Sequence, residues 1–147
     1  MRVIVAGVDY PPRPHMVAWF ARAFRRLGCD VVVVGASCDL SAGDGDTWVD
    51  IMFEQPEYRF AGHRVPLSTV LGQTGPVDLC VMVDHGEDWA IKNDDGDTPY
   101  AYVWREGNPS EEERVHNCCG NAPCFVSMVG KGTSWPAKSQ FMPFAVD

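Results

Sequence analysis

Residues 2–36, "RVIVAGVDYPPRPHMVAWFARAFRRLGCDVVVVGA", decide the fold class. The runs RVIVAGV and DVVVVGA are rich in β-branched residues without polar alternation, which is typical of strands buried on both faces of a parallel sheet. Between them, seven apolar side chains fall within a helical arc of about 160°, with three arginines on the other side. The seven are Met16, Val17, Trp19, Phe20, Ala23, Phe24 and Leu27. Gly28 is placed to end this helix. The order strand, helix, strand predicts a βαβ unit with a right-handed crossover.

The rest of the chain continues to alternate strands and helices. Further strands are predicted in WVDIMFE (48–54), PVDLCVMVDHG (76–86), TPYAYVWREG (98–107) and PCFVSMVGKG (123–132), with SQFMPFAVD (139–147) as a last strand or a connector. Short helices are predicted in PLSTVLGQ (66–73) and after NPSEEE (108–113), whose glutamates suit the positive end of a helix dipole. We therefore expect one α/β domain over residues 1–147, Rossmann-like, with a mostly parallel sheet and helices on both faces.

The composition narrows the class of protein. The 147 residues carry a formal net charge of −8, which disfavours binding to a polyanion such as DNA or RNA. No apolar run approaches the roughly 20 residues of a membrane span, and the N-terminus lacks a signal-peptide pattern. The six cysteines include two beside or within strand-like runs, which is unlike a secreted disulfide framework. We expect a cytoplasmic protein.

Two common phosphate-binding loops are absent from the sequence. The turn after the first predicted strand contains no G-x-G-x-x-G, which disfavours a nicotinamide cofactor. The stretch around SMVGKGTS (127–134) departs from a P-loop, because Phe125 occupies the first glycine position and Gly132 replaces the metal-binding hydroxyl. This loop still offers backbone N–H groups to an anion. Its candidate ligand-binding residues are Gly130, Lys131, Gly132, Thr133 and Ser134.

Metal sites are weakly indicated. His116 and three nearby cysteines (118, 119 and 124) offer zinc ligands, but adjacent cysteines suit a tetrahedral site poorly and no C-x-x-C pair exists. The two Asp-Gly-Asp-Thr stretches at 44–47 and 95–98 are better explained as tight turns than as carboxylate metal sites. We expect neither a metal nor a cofactor.

Two histidines follow predicted strands and are the best candidates for chemistry. His15 lies at the predicted helix start, where unpaired N–H groups and the helix dipole keep an imidazole neutral and able to accept a proton. His85 comes directly after Asp84 at the end of another buried strand. In a parallel sheet both would lie at the same edge. The alternative for each histidine is a loop residue that hydrogen-bonds the backbone.

Taken together, residues 1–35, the segment PVDLCVMVDHG and the terminal FMPFAVD resemble the N-terminal half of a GT-B glycosyltransferase. The resemblance implies that the loop after the first strand, with Asp9, Tyr10 and Arg13, approaches the substrates. It also implies that His15 is a catalytic base and that His85 and Asp84 support it. The chain departs from the family pattern at PRPH (12–15), which replaces the usual glycine pair. We expect residues 1–147 to correspond to the first domain alone, without the second domain that mostly holds the nucleotide sugar in this family.

Three hypotheses follow. The first is the acceptor-side domain of a GT-B-like glycosyltransferase, an enzyme only when a donor-binding domain completes it. The second is a standalone, non-catalytic module that binds a small nucleotide or a phosphorylated sugar. The third is a fold used only for protein assembly. The partners expected are thus a nucleotide sugar or phosphorylated ligand, together with a homo-oligomer or a second domain.

Overall fold

A computed structural model describes residues 1–9, 16–37, 50–52, 63–84, 89–104, 112–126 and 139–141. These residues form nine strands and three helices. The strands are β1 (Arg2–Asp9), β2 (Asp30–Ser37), β3 (Ile51–Met52), β4 (His63–Pro66), β5 (Leu79–Asp84), β6 (Trp89–Lys92), β7 (Tyr100–Trp104), β8 (Cys124–Val126) and β9 (Ser139–Phe141). The helices are α1 (Met16–Arg26), α2 (Leu67–Thr74) and α3 (Glu112–Cys119). The α/β class expected from the sequence is confirmed.

Seven of the strands form one sheet in the order β3-β2-β1-β5-β7-β8-β9. Every strand pair described in this sheet is parallel. The chain first adds strands on one side of β1 and then, from β5 onward, on the other side. The direction of strand addition therefore reverses between β1 and β5, which are direct neighbours.

The βαβ unit predicted from residues 2–36 is confirmed. β1 and β2 pair in register from Arg2 with Asp30 to Asp9 with Ser37. At the end of α1, the Gly28 N–H donates to the carbonyl of Arg25 at 2.9 Å and the Cys29 N–H donates to that of Phe24 at 3.0 Å. Gly28 adopts φ of 80°, where a side chain would be strained, so glycine ends the helix as a Schellman motif.

One face of the sheet is covered by α1 and is built from small side chains. Its core contains valines of β1, β2, β5 and β7 together with Val17 and Ala21 of the helix. The predicted apolar arc of α1 is only partly buried, which corrects the sequence interpretation. Trp19 is 45% exposed and Leu27 is 77% exposed. Val17, Ala18 and Ala21 are buried, and Phe20 and Phe24 are half-buried against the same core. Trp19 lies on the other side of the helix.

The other face of the sheet carries the larger core. Buried aromatic, sulfur-containing and aliphatic side chains from the sheet pack there with α2, α3 and a separate two-stranded parallel sheet, β4–β6. Trp89, Tyr102 and Trp104 are fully buried in this core. Helices thus cover both faces of the seven-stranded sheet. The sequence analysis did not predict β4 or β6.

Aspartates fix the amino ends of two strands. The Asp78 carboxylate accepts the Arg2 N–H at 2.6 Å, and the Asp78 N–H donates to the Arg2 carbonyl at 2.9 Å. Asp50 makes the same pair of bonds with the backbone of Val33, at 2.7 and 2.9 Å. Each aspartate precedes its strand by one residue, so it sets the register in which β5 and β3 join their neighbours.

Candidate functional site

The candidate site is the sheet edge at which β1 and β5 end. β1 ends at Asp9 and β5 ends at Asp84, and the two strands pair in register up to Gly7 with Val83. Ligands of open parallel sheets bind outside the carboxyl ends of the strands, where the strand order reverses. The reversal lies between these two strands, so a ligand crevice is expected at their carboxyl ends.

Gly7 lies two residues before the end of β1 and allows the first turn of α1 to pack closely on this strand. A Cβ placed on Gly7 would lie 2.6 Å from Val17 Cγ2 and 2.6 Å from the carbonyl oxygen of Val83. Only glycine therefore allows α1, β1 and β5 to approach this closely. Sequence reasoning missed the role of Gly7, although a glycine inside a strand run is itself a signal of close backbone approach.

The structure places the backbone of Asp9 and Asp84 at this edge, one at the end of each neighbouring strand. His85 is bonded to Asp84, and His15 directly precedes Met16, the first residue of α1. The remaining candidates lie outside the described residues. They are Tyr10, Arg13, His15, His85, Gly130, Lys131, Gly132, Thr133 and Ser134. The fold thus places β1 and β5, which lead into two groups of candidate residues, next to each other. The predicted roles of the candidate side chains stay predictions.

The carboxyl ends of β7 and β8 lie at the same edge, because all these strands are parallel. Asp84 is in register with Trp104 of β7, and Trp104 with Val126 of β8. The aromatic side chains of β7 serve the core: Tyr100, Tyr102 and Trp104 are at most 4% exposed, and the Tyr100 hydroxyl donates to the Ile91 carbonyl at 2.7 Å. They are core residues, so they do not form a stacking surface for a sugar.

The zinc alternative has no support in the geometry. Among the described residues, which include His116 and the three nearby cysteines, no group of three or more potential ligands is placed to hold a metal. His116 is exposed whereas Cys118, Cys119 and Cys124 are buried, so the histidine and the thiols face different surroundings. Burial also raises the pKa of the Cys80 thiol far above its ordinary value, which makes it a packing residue and not a nucleophile.

The acidic segment 94–97 has a structural role at the opposite edge of the sheet. The Asp94 carboxylate accepts the Ser68 N–H at 3.0 Å and the Ser68 hydroxyl at 2.6 Å, at the first turn of α2. Desolvation raises the pKa of Asp94, but these hydrogen bonds outweigh it and the pKa lies below its ordinary value. Asp95 accepts hydrogen bonds from the Thr98 hydroxyl and the Asp97 N–H, which lower its pKa. The turn predicted at 95–98 is confirmed.

Comparisons with known proteins add no assignment. No family model matches the chain, and neither the curated proteins nor the solved structures gave a match. Each of the three described helices is too short or too polar to cross a membrane.

Proposed function

We propose that this chain is a Rossmann-like acceptor-side domain of a GT-B-like glycosyltransferase, with its ligand crevice at the carboxyl ends of β1 and β5. The strand order supports this proposal. Numbered by their order within the sheet, the strands run 3-2-1-4-5-6-7, and the first six follow the order of nucleotide-binding doubly wound folds. Sheets with this order bind their ligands where the order reverses.

One observation carries the proposal: β1 and β5 are parallel neighbours. β1 leads into the segment that contains His15, and β5 leads into His85. The two strands therefore end side by side, about 4.8 Å apart. Separate regions of the sequence would meet at one crevice. The parallel pairing of β1 and β5 supports this juxtaposition.

The proposed chemistry uses His15 as a general base. Its neutral imidazole removes the proton from an acceptor hydroxyl while that oxygen bonds to the anomeric carbon of a nucleotide sugar. The bond from the anomeric carbon to the diphosphate oxygen breaks, and the nucleoside diphosphate leaves with the electron pair. Asp84 and His85 orient the acceptor or the base. Asp9, Tyr10 and Arg13 bind substrate in the same loop region.

The Gly130–Ser134 loop is proposed to bind the donor phosphates through its backbone N–H groups and Lys131. β8 ends at Val126, three strand positions and thus about 14 Å from β1. The chain from Val126 to Gly130 spans up to about 13 Å when extended. The loop is therefore within reach of a ligand bound between β1 and β5.

The test combines ligand binding with turnover. Nucleotide sugars at about 100 times their dissociation constant should stabilise the chain by about 2.7 kcal/mol in thermal unfolding. With the donor domain present and an acceptor supplied, His15→Ala should lower turnover about 10²- to 10⁴-fold without a loss of stability. His116→Ala is the matched control, because His116 is exposed on α3 and lies outside the crevice. Unchanged turnover in His15→Ala would remove His15 from the mechanism.

The second candidate function is a non-catalytic module that binds a small nucleotide or a phosphorylated sugar. The crevice favours it in one respect, since β1 and β5 belong to one sheet and a ligand can contact both without a further domain. This candidate predicts ligand-induced stabilisation with no sugar transfer to any acceptor. It also predicts that neither the wild type nor the His15→Ala variant transfers sugar. The substitution then changes only the affinity for the nucleotide or phosphorylated sugar.

A further inference from the structure

One contact in the fold joins the two elements that adjoin the candidate histidines in the sequence. A Cβ placed on Gly7 would lie 2.6 Å from Val17 Cγ2 in α1 and 2.6 Å from the Val83 carbonyl oxygen in β5. Val17 follows His15 by two residues, and Val83 precedes His85 by two residues. Gly7 therefore contacts both the start of α1 and the end of β5, each of which leads to one of the histidines.

Both neighbours of Gly7 are held in place. Val17 is 4% exposed and Val83 is fully buried, and both belong to the core between α1 and the sheet. A valine in a helix has one strongly preferred side-chain rotamer, so Cγ2 cannot turn aside without strain. The Val83 carbonyl belongs to a strand that pairs with β1 on one side and with β7 on the other. A methyl group added at Gly7 must therefore move backbone.

The size of that movement follows from the contact distances. Ordinary van der Waals contact begins at 3.4 Å, so each approach of 2.6 Å has to lengthen by about 0.8 Å. A misplacement of about 1 Å can lower the rate of an enzyme about 10²-fold even when its origin is far from the chemistry, because the reacting groups lose their alignment. A shift of this size near the ends of β1 and β5 is large enough to matter for catalysis.

Backbone conformation does not explain the glycine at this position. The glycines with positive φ in the described part of the chain are Gly28, Gly75 and Gly120. Gly7 is instead an ordinary strand residue, paired in register with Val83. The close approach of its two neighbours is therefore what requires a residue without a side chain.

From this contact we infer that Gly7 is a positioning residue, which sets the separation between the segment that carries His15 and the segment that carries His85. The inference rests on the proposed function, because it gives that separation a role in placing the general base against the acceptor. Gly7 has no side chain of its own and acts through Val17 and Val83.

Imidazole NMR signals of the full chain test the inference without any ligand. Spectra are recorded well above the ordinary pKa of histidine, so that the rings are neutral and a shift reports altered surroundings. Gly7→Ala should shift the His15 and His85 signals and leave that of His116, which is exposed on α3, unchanged. Val31→Ala is the matched control, because Val31 is buried in the same core but lies near the amino end of β2. This control should lose stability without shifting either histidine.

A second variant covers the case in which Gly7→Ala does not fold. Val17→Ala removes Cγ2 and adds no atom, so it loosens only the helix side of the contact. It should shift the His15 signal and leave the His85 signal in place. Wild-type histidine signals in Gly7→Ala would overturn the inference, as would equal shifts in Val31→Ala. If Gly7→Ala is unfolded, an unmoved His15 signal in Val17→Ala overturns it.

Turnover separates this inference from the proposed function. With the donor domain present and an acceptor supplied, Gly7→Ala should lower kcat about 10²-fold with little change in KM, whereas Val31→Ala should keep the wild-type kcat. Shifted histidines in a chain that binds no nucleotide sugar would contradict the proposed function but not the positioning by Gly7. Wild-type turnover in Gly7→Ala, with both histidines unshifted, would contradict the positioning alone.

Discussion

The two faces of the seven-stranded sheet are built in different ways. The α1 face is lined mainly by valines, with Ala21 and the half-buried Phe20 and Phe24 of the helix, and Gly7 lets the helix pack closely on β1. The opposite face is lined by tryptophan, tyrosine, cysteine and methionine, and it needs a second sheet and two helices to cover them. The close face positions the start of α1 near the carboxyl ends of β1 and β5, whereas the thick face supplies most of the buried apolar volume. Position and stability are thus provided by different sides of one sheet.

The largest expected effect comes from removing an aromatic side chain of the thick face. Trp89 lies on β6 and is fully buried, so Trp89→Ala should lower the free energy of unfolding by about 3–5 kcal/mol. Trp19→Ala on the outer side of α1 is the matched control and should change stability by no more than about 0.5 kcal/mol. Chemical denaturation of both variants measures the difference. Equal losses would show that the thick face does not dominate the stability of the fold.

A smaller effect is expected from adding one methyl group to the close face. Gly7→Ala places a Cβ 2.6 Å from a backbone carbonyl that cannot move aside, so it should cost about 1–3 kcal/mol and displace the first turn of α1. Gly72→Ala in α2 meets nothing within 4 Å and should stabilise the chain by about 0.4–1 kcal/mol. Thermal unfolding compares the two. A neutral Gly7→Ala variant would refute the close contact between α1, β1 and β5.

The smallest effect concerns the carboxylate that holds α2 on the thick face. Asp94 has a lowered pKa in the folded chain, so its stabilisation is present above the pKa of the unfolded chain and is lost as pH falls through the folded pKa. Ser68→Ala removes the hydroxyl donor and should cost about 0.5–1 kcal/mol at neutral pH, where Asp94 is ionised. This cost should shrink at pH values below the ordinary pKa of an aspartate, as Asp94 becomes protonated in the folded chain.

The matched control is Thr69→Ala, because Thr69 is exposed on the same helix turn. Unfolding free energies measured between neutral and acidic pH distinguish the two variants. A loss in Ser68→Ala that stayed constant with pH would contradict an ionic contribution from Asp94.

The elements that the sequence predicts best are those whose burial pattern is long and uniform. β1, β2 and β5 were predicted from continuous runs of apolar residues, which are typical of strands buried on both faces of a sheet. β4 and β6 are four residues long, and neither HRVP nor WAIK has a periodicity that separates a strand from a loop. Their strand conformation depends on pairing with each other across the sequence, which local patterns do not encode.

The orientation of α1 was predicted only in part, for a related reason. An apolar arc of about 160° is wider than the contact surface of one helix on a sheet, so the arc alone does not choose which half is buried. Gly7 and Val17 make that choice by fixing how closely the helix approaches. The candidate site was predicted from strand ends alone. The neighbouring positions of β1 and β5 agree with it, while the histidine side chains stay predictions.

The central claim is that a ligand binds where β1 and β5 end. Titration of a ¹⁵N-labelled chain with nucleotide sugars, followed by backbone amide shifts, tests it most directly. Saturable shifts should appear at the amides of Gly7 to Asp9, Val17 and Val83 to Asp84, and should be absent at Asp30 and Asp78 on the opposite edge. Shifts confined to that opposite edge, or no saturable shift with any nucleotide sugar, would contradict the claim.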